Sequence, residues 1–185
     1  MMIETERLIL RPWKMSDARE LYHEAQNPNV GTSAGWPAHK SILESQQILQ
    51  DILMNDDTYA ITLKESQKII GSVSYFVPRV SEIEVSEHSY EVGYWIGENY
   101  WGQGYMPEAL IHLMGWIQTH KEITELWATF YEGNYQSQRV LEKAGFQFNH
   151  IEKNKPMTML KDKRDKYYMR WVNPKCNNNS TKIIS

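Results

Sequence analysis

Apolar positions along this chain recur in two rhythms, one of helical period and one of strand period, and the changes between them mark out the elements. Residues 8–11 read as a short first strand. Ser16 stands where it can cap a helix that places Ala18, Leu21, Tyr22 and Ala25 on one face, and Pro28 is expected to close it. Residues 31–39, with Gly35, Trp36 and Pro37, read as a loop. Ser41 and Glu44 form a capping-box pair ahead of a second helix with an apolar stripe of Ile48, Leu49, Ile52 and Leu53. Residues 59–63 and 69–76 then read as strands around a polar turn at 64–68, and 78–88 as a polar connection. In 90–96 the alternation is strict: Tyr90, Val92, Tyr94 and Ile96 face one way, Glu91, Gly93 and Trp95 the other. A glycine-bearing turn leads to a helix over 106–119 with Ala109, Leu110, Leu113, Met114 and Ile117 on its core side. Residues 126–130 form a strand. Asn134 opens a last helix with Val140, Leu141 and Ala144 inward and Gly145 at its end. Residues 146–152 and 167–172 close as strands. The order predicts a mixed α/β domain: a sheet of about seven strands with about four helices on its faces.

Composition narrows the classes. A length of 185 residues suits one domain, expected over 1–172. The Asn-rich stretch 173–185 has the composition of an unordered tail. Lys and Arg number 20 against 23 Asp and Glu, a net charge of −3, which argues against a nucleic-acid partner because that needs a basic surface. Nothing approaches the ~20 apolar residues of a membrane span. The first residues lack the pattern of a secretory leader, so a cytoplasmic protein is expected, free of membrane. Cys176 is the only cysteine, so no disulfide forms within the chain, and the six scattered histidines have no metal-ligand spacing. No metal is expected. The abundant tryptophans and tyrosines fall mostly at alternating or helical positions, which assigns them to packing rather than base stacking.

The segment Trp95-Ile96-Gly97-Glu98-Asn99-Tyr100-Trp101-Gly102-Gln103-Gly104-Tyr105-Met106-Pro107 carries the most chemistry. A strand runs through a glycine turn into a helix, and Pro107 suits a first helical turn. Free N–H groups and the helix dipole at such a start hold an anion. Gly102 and Gly104 allow positive φ and keep side chains away from a phosphate. A dinucleotide fingerprint fails at Pro107, where a third glycine would stand, and the Gly-Lys-Ser/Thr of a nucleoside-triphosphate loop is absent. A turn of this kind, alone, is more often just a turn.

A second segment, Asn134-Tyr135-Gln136-Ser137-Gln138-Arg139-Val140-Leu141-Glu142-Lys143-Ala144-Gly145-Phe146, changes that balance. It resembles the second signature of the GNAT acetyltransferases, and the glycine turn resembles that family's acetyl-CoA loop, in the family's order. The opening Glu4-Thr5-Glu6-Arg7-Leu8-Ile9-Leu10-Arg11-Pro12 is similar to the ribosomal-protein N-acetyltransferase branch, the RimJ and RimL type, as is Gly93-Tyr94-Trp95-Ile96-Gly97 before Trp101. Three positions depart from the wider pattern. Trp101 stands for Gln or Arg, Met106 for a small residue, and Leu141 for a tyrosine proposed as general acid.

The resemblance implies the acyl-CoA N-acyltransferase fold, its sheet splayed between strands 90–96 and 126–130, with acetyl-CoA in the gap. Backbone groups of Tyr94, Trp95 and Ile96 would hold the pantetheine arm, and one of them near Trp95 or Ile96 would polarise the thioester carbonyl. Trp101, Gly102, Gln103, Gly104, Tyr105 and Met106 would form the pyrophosphate loop. Asn134 would bond the pantetheine end. Ser137 would bond or protonate the leaving sulfur, unless as third helical residue it bonds only backbone. Glu91 is the candidate base, about as readily read as a solvent-facing strand glutamate, and His88 a weaker one. Trp36 is a candidate for the acceptor pocket or plain packing. Arg139 and Lys143 share a helix face and would reach a coenzyme phosphate or simply be solvated. The implied activity is acetyl transfer from acetyl-CoA directly to a primary amine, either a protein N-terminal α-amine or a small molecule, by a monomer or homodimer. The alternatives are an acetyl-CoA-binding sensor that has lost catalysis and a structural protein with an empty turn.

Overall fold

The computed structural model describes residues 1–78, 86–157 and 159–177. Eight strands form one sheet: β1 (Ile3–Glu4), β2 (Leu8–Pro12), β3 (Thr58–Leu63), β4 (Ile69–Phe76), β5 (Ser89–Ile96), β6 (Glu125–Tyr131), β7 (Gln147–Met157) and β8 (Asp162–Val172). Their spatial order is β1-β2-β3-β4-β5-β6-β8-β7. All pairs are antiparallel except β5 with β6. That pair needs a crossover, supplied by helix α4 (Tyr105–His120). The expected α4 face, Ala109, Leu110, Leu113, Met114 and Ile117, is buried against Leu10, Ile61, Val73 and Leu126. The other helices are α1 (Ala18–Ala25), α2 (Pro28–Ala34), α3 (Ile42–Ile48), α5 (Tyr135–Lys143) and the single turn α6 (Pro174–Asn177). α1 and α3 cover the opposite face around Trp13, Leu21, Leu49 and Ala60.

The mixed fold is the one expected, with several local corrections. The eighth strand, β1, pairs Ile3 with Leu10, a two-residue segment too short to show a period. α1 ends at Ala25, ahead of Pro28 as expected, but Pro28 does not open a loop. It is the first residue of α2, with Asn27 accepting from the Asn29 N–H at 2.9 Å, because a proline costs nothing where the N–H has no partner. Residues 31–34 are therefore helical, and Gly35, at φ 88°, terminates α2. Ser16 makes no cap. Asp17 takes that region's bonds, from the Lys14 N–H and the Arg11 guanidinium. Ser41 does cap α3 through the Glu44 N–H. The α3 stripe breaks at Leu49–Leu53, which is a π-helical turn closed by Met54 N–H to Leu49 C=O at 2.8 Å. The wider turn leaves Leu49 buried but rotates Ile52 outward, 59% exposed. β7 and β8 extend well beyond 146–152 and 167–172 as one long hairpin whose polar residues hid it. Residues 174–177 of the Asn-rich stretch form α6. Asn173 is buried and donates to the Ile123 carbonyl at 2.9 Å, while residues 178–185 lie outside the described residues, as does most of the 78–88 connection.

The feature that positions a site lies between β5 and β6. Their pairing runs only from Ser89↔Glu125 to Glu91↔Trp127. Beyond that β6 stays with β8 as far as Tyr131↔Lys166, and β5 stays with β4 as far as Ile96↔Gly71. Residues 92–96 thus turn an unpaired backbone edge toward an opening in the middle of the sheet.

Candidate active site

This opening is a cleft of about 520 Å³ walled by β5, the start of α4, the end of β6 and α5. Glu91 stands at its inner corner, the last residue paired before the strands part. It is 8% exposed and lines the cleft, with the Thr129 hydroxyl donating to it at 3.4 Å. The reading of Glu91 as a solvent-facing strand residue is therefore set aside. Burial pushes the neighbouring Tyr168 phenol above its ordinary range, reinforced by the carboxylates of Glu152 and Glu91. His88 is on the surface, 3.8 Å from Glu122, and does not line the cleft.

The outer end is the glycine turn. Gly102 and Gly104 have φ of 73° and 80°, and Gly104 is the residue from which α4 starts. A Cβ on Gly102 would meet nothing within 4 Å, and one on Gly104 only the Arg7 guanidinium at 3.5 Å. Backbone conformation, more than space, demands glycine here. Helix α4 starts one residue earlier than expected, at Tyr105, so the free amides at its start are those of Tyr105 and Met106, and Pro107 has none to lose. The Met106 side chain is 4% exposed and packs into the core, so its bulk leaves the turn open. Trp101 donates its indole N–H to the Ile96 carbonyl at 2.9 Å, bracing the turn against β5. The Gln103 side chain folds back to the Asn99 carbonyl at 2.7 Å and does not line the cleft.

A clasp that sequence reading missed holds this turn from β2's side. The Arg7 guanidinium bonds Glu108 at 2.7 Å and the Gln103 carbonyl at 3.1 Å, and lies 4.3 Å over the Tyr105 ring. Glu108 also accepts from the Thr5 hydroxyl and the Arg7 N–H. Burial pushes the Glu108 carboxyl up, but these bonds more than reverse it and hold it below the usual carboxylate range. The partners lie about a hundred positions apart, so only the segment from Glu4 to Pro12 hinted at them.

The far wall is α5. Asn134 caps it, accepting from the Ser137 N–H at 3.1 Å and donating to the Ser33 carbonyl at 2.8 Å. One amide hydrogen remains after these bonds. Ser137 does more than bond backbone: its Oγ lies 2.8 Å from the Tyr94 hydroxyl, which reaches across from β5. Burial pushes the Tyr94 phenol up, partly offset by that bond, so the hydroxyl keeps its proton. The alternation did place Tyr94 on this face, but its side chain had no assigned role. Leu141, where a tyrosine was looked for, is fully buried. Arg139, Lys143 and Lys166 put positive charge on the cleft.

Trp36 is not in this cleft. It borders a second hollow of about 460 Å³ and meets Trp95 edge-on at 6.0 Å. Cys176 bonds the Ile123 carbonyl just before β6, at the opposite end of that strand from the cleft. Among the described residues no group of three or more His, Cys, Asp or Glu gathers as a metal site, and no helix is long and apolar enough to cross a membrane.

Comparison with known proteins bears on the fold. A family model described as "Acetyltransferase (GNAT) domain" matches residues 7–147. An uncharacterized N-acetyltransferase, p20, of Bacillus licheniformis is 25% identical over 150 residues, 77% of this chain and 80% of that protein. The structure of a putative ribosomal-protein-serine acetyltransferase from Vibrio cholerae superposes with a TM-score of 0.76 at 24% identity, over 94% of this chain and 98% of that one. The microcin C7 self-immunity acetyltransferase MccE, solved with acetyl-CoA and AMP, gives 0.74 at 22% identity, over 91% and 93%.

Proposed function

The chain belongs to the GNAT acetyltransferase family, and on that premise we propose that it transfers the acetyl group of acetyl-CoA directly to a primary amine. The observation that carries this is the released edge of β5 opening beside the amides of Tyr105 and Met106. An extended amide-bearing arm fits an unpaired strand edge, and a diphosphate fits a helix start preceded by two residues of positive φ. Arg139 and Lys143 lie where they add charge for phosphate groups. Acetyl-CoA supplies an activated acetyl group as a thioester.

The chain's own groups do the rest. An amine of pKa about 10.4, or about 7.7–8.0 for an α-amine, must lose a proton to attack. Glu91, buried at the inner corner, takes that proton directly or through water. A backbone N–H at Trp95 or Ile96 polarises the thioester carbonyl, a fixed donor that needs no reorganisation. The nitrogen lone pair forms the N–C bond as the C–S bond breaks, and the sulfur departs as a thiolate that accepts a hydrogen bond from the Ser137 hydroxyl, itself oriented by Tyr94. A thiol pKa of about 8.5 makes this help modest. No cysteine lies near, so no acyl-enzyme is invoked.

Thiol release from acetyl-CoA, measured against a panel of amines and N-terminal peptides, tests the reading. We expect release that depends on the acceptor, together with a raised melting temperature on acetyl-CoA alone, about 2.7 kcal/mol at a hundredfold excess over Kd. Absence of both would refute it. A melting shift without release under any acceptor would favour the sensor.

A further inference from the structure

Arg7 sits at the tip of the β1–β2 hairpin, with its main chain fixed on both sides. The hairpin is closed by Thr5 N–H to Leu8 C=O at 2.9 Å and by Leu8 N–H to the Thr5 hydroxyl at 2.8 Å. The Arg7 N–H donates to Glu108 at 2.8 Å, and the Arg7 carbonyl accepts from the Lys64 N–H at 2.9 Å. The side chain is fixed as well. Its Nε donates to Glu108 at 2.7 Å, and the guanidinium lies 4.3 Å over the Tyr105 ring. With those groups engaged, the fork presents Nη1 to the glycine turn, where it donates to the Gln103 carbonyl at 3.1 Å.

The next peptide bond decides what this contact does. The Gln103–Gly104 peptide is trans. In a planar trans peptide the carbonyl and the following N–H point in opposite directions. Arg7 and Gln103 lie outside the cleft, whereas Gly102, Gly104 and Tyr105 line it. A Gln103 carbonyl turned outward to Arg7 therefore turns the Gly104 N–H into the cleft. At the N-cap of α4 that N–H has no partner within the helix. A left-handed residue followed by helical ones makes successive N–H groups converge, so Gly104 joins Tyr105 and Met106 in one anion-binding concavity. The charge of Arg7 contributes little by itself, because it is paired with Glu108 and 42% exposed.

We propose that Arg7 is a positioning residue for the coenzyme. By holding the Gln103 carbonyl outward it fixes the Gly104 N–H as a donor to the diphosphate, and Glu108 acts through Arg7. This rests on the acetyl-transfer reading above and names a residue, far away in sequence, that sets its coenzyme affinity.

The test is acetyl-CoA affinity by titration calorimetry, beside kcat/KM by thiol release for acetyl-CoA and for S-acetylpantetheine, which carries the thioester arm without the diphosphate. Arg7→Met keeps an apolar stem over Tyr105 and loses the fork. It should weaken acetyl-CoA binding about tenfold, the effect of one misaligned hydrogen bond to a charged group, and lower the ratio of the two kcat/KM values by a similar factor. Glu108→Gln separates positioning from charge. Removing a carboxylate near an anion site tightens binding if only Coulomb attraction acts. With Arg7 set loose, binding should weaken several-fold instead. Arg7→Lys keeps the charge without the fork, so its affinity should fall close to that of Arg7→Met, and it decides the matter if Arg7→Met does not fold. Melting curves identify the variants that are folded. Tighter or unchanged binding in Glu108→Gln, parent-like affinity in Arg7→Lys, or a kcat/KM ratio that stays at the parent's value would overturn the inference and leave acetyl transfer standing. A parent protein that neither binds acetyl-CoA nor releases thiol would overturn both.

Discussion

Replacing Gly104 by alanine tests the proposed coenzyme turn, because the same substitution elsewhere in α4 should act with opposite sign. Gly104 has φ 80°, a conformation that costs a residue with a Cβ roughly 1–2 kcal/mol. Space is not the problem, since the added Cβ would meet only the tip of Arg7 at 3.5 Å. The unfolded chain loses freedom on gaining a Cβ, which returns about 0.4–1 kcal/mol. The net is a loss on the order of 1 kcal/mol, or a melting temperature lower by about 2–4 °C for a domain of this size. Gly115, exposed in the middle of the same helix, has open space around its Cβ position and helical backbone. Alanine there should stabilise by roughly 0.5–1 kcal/mol and raise the melting temperature by a few degrees. The decisive quantity is acetyl-CoA affinity by titration calorimetry. If Gly104→Ala relaxes by turning φ negative, the amides of Tyr105 and Met106 rotate out of alignment. Losing one charged hydrogen bond, about 1.5–3 kcal/mol, weakens binding roughly tenfold or more. Gly115→Ala should leave affinity unchanged. A Gly104→Ala protein that is destabilised as expected yet binds acetyl-CoA as tightly as the parent would refute the assignment of this turn to the diphosphate.

Other outcomes follow from the same geometry. Glu91→Gln should lower turnover by about 10²-fold at neutral pH. The deficit should shrink as pH rises toward the amine's own pKa, and a pH-independent loss would make Glu91 structural. Ser137→Ala should slow turnover only modestly with coenzyme affinity intact, and Tyr94→Phe should match it if the two hydroxyls act as one unit; unequal losses would separate them. His39 is held below its ordinary 6.5 by burial, partly offset by Glu44. The unfolded chain then binds the proton more readily, so stability should be full above 6.5 and fall as pH drops below it toward the folded value. His39→Gln should flatten that slope in urea midpoints taken on either side of 6.5. An unchanged slope would locate the pH dependence elsewhere.

The sequence by itself determined the class of fold and the two ends of the cleft between β5 and β6. Helix α4 was legible because its five core residues recur at helical spacing, and β5 because its alternation is strict. Gly104 and Asn134 were legible for a related reason: a positive φ and a helix cap are demands that the local backbone makes on residue type. What no local rule contains was decided by tertiary structure. The Arg7–Glu108 clasp joins residues 101 positions apart, and the Tyr94–Ser137 pair bridges 43. Whether Glu91 faces solvent or a cleft depended on where β5 leaves β6, which is a property of two strands and not of one. The hollow beside Trp36 has room only because Thr58, Ser74 and Gly93 of three strands fall into register, and register belongs to the assembled sheet. Local periodicity reports which face a residue takes. Only packing reports what that face meets, because burial and charge at a site are summed over elements the chain brings together late.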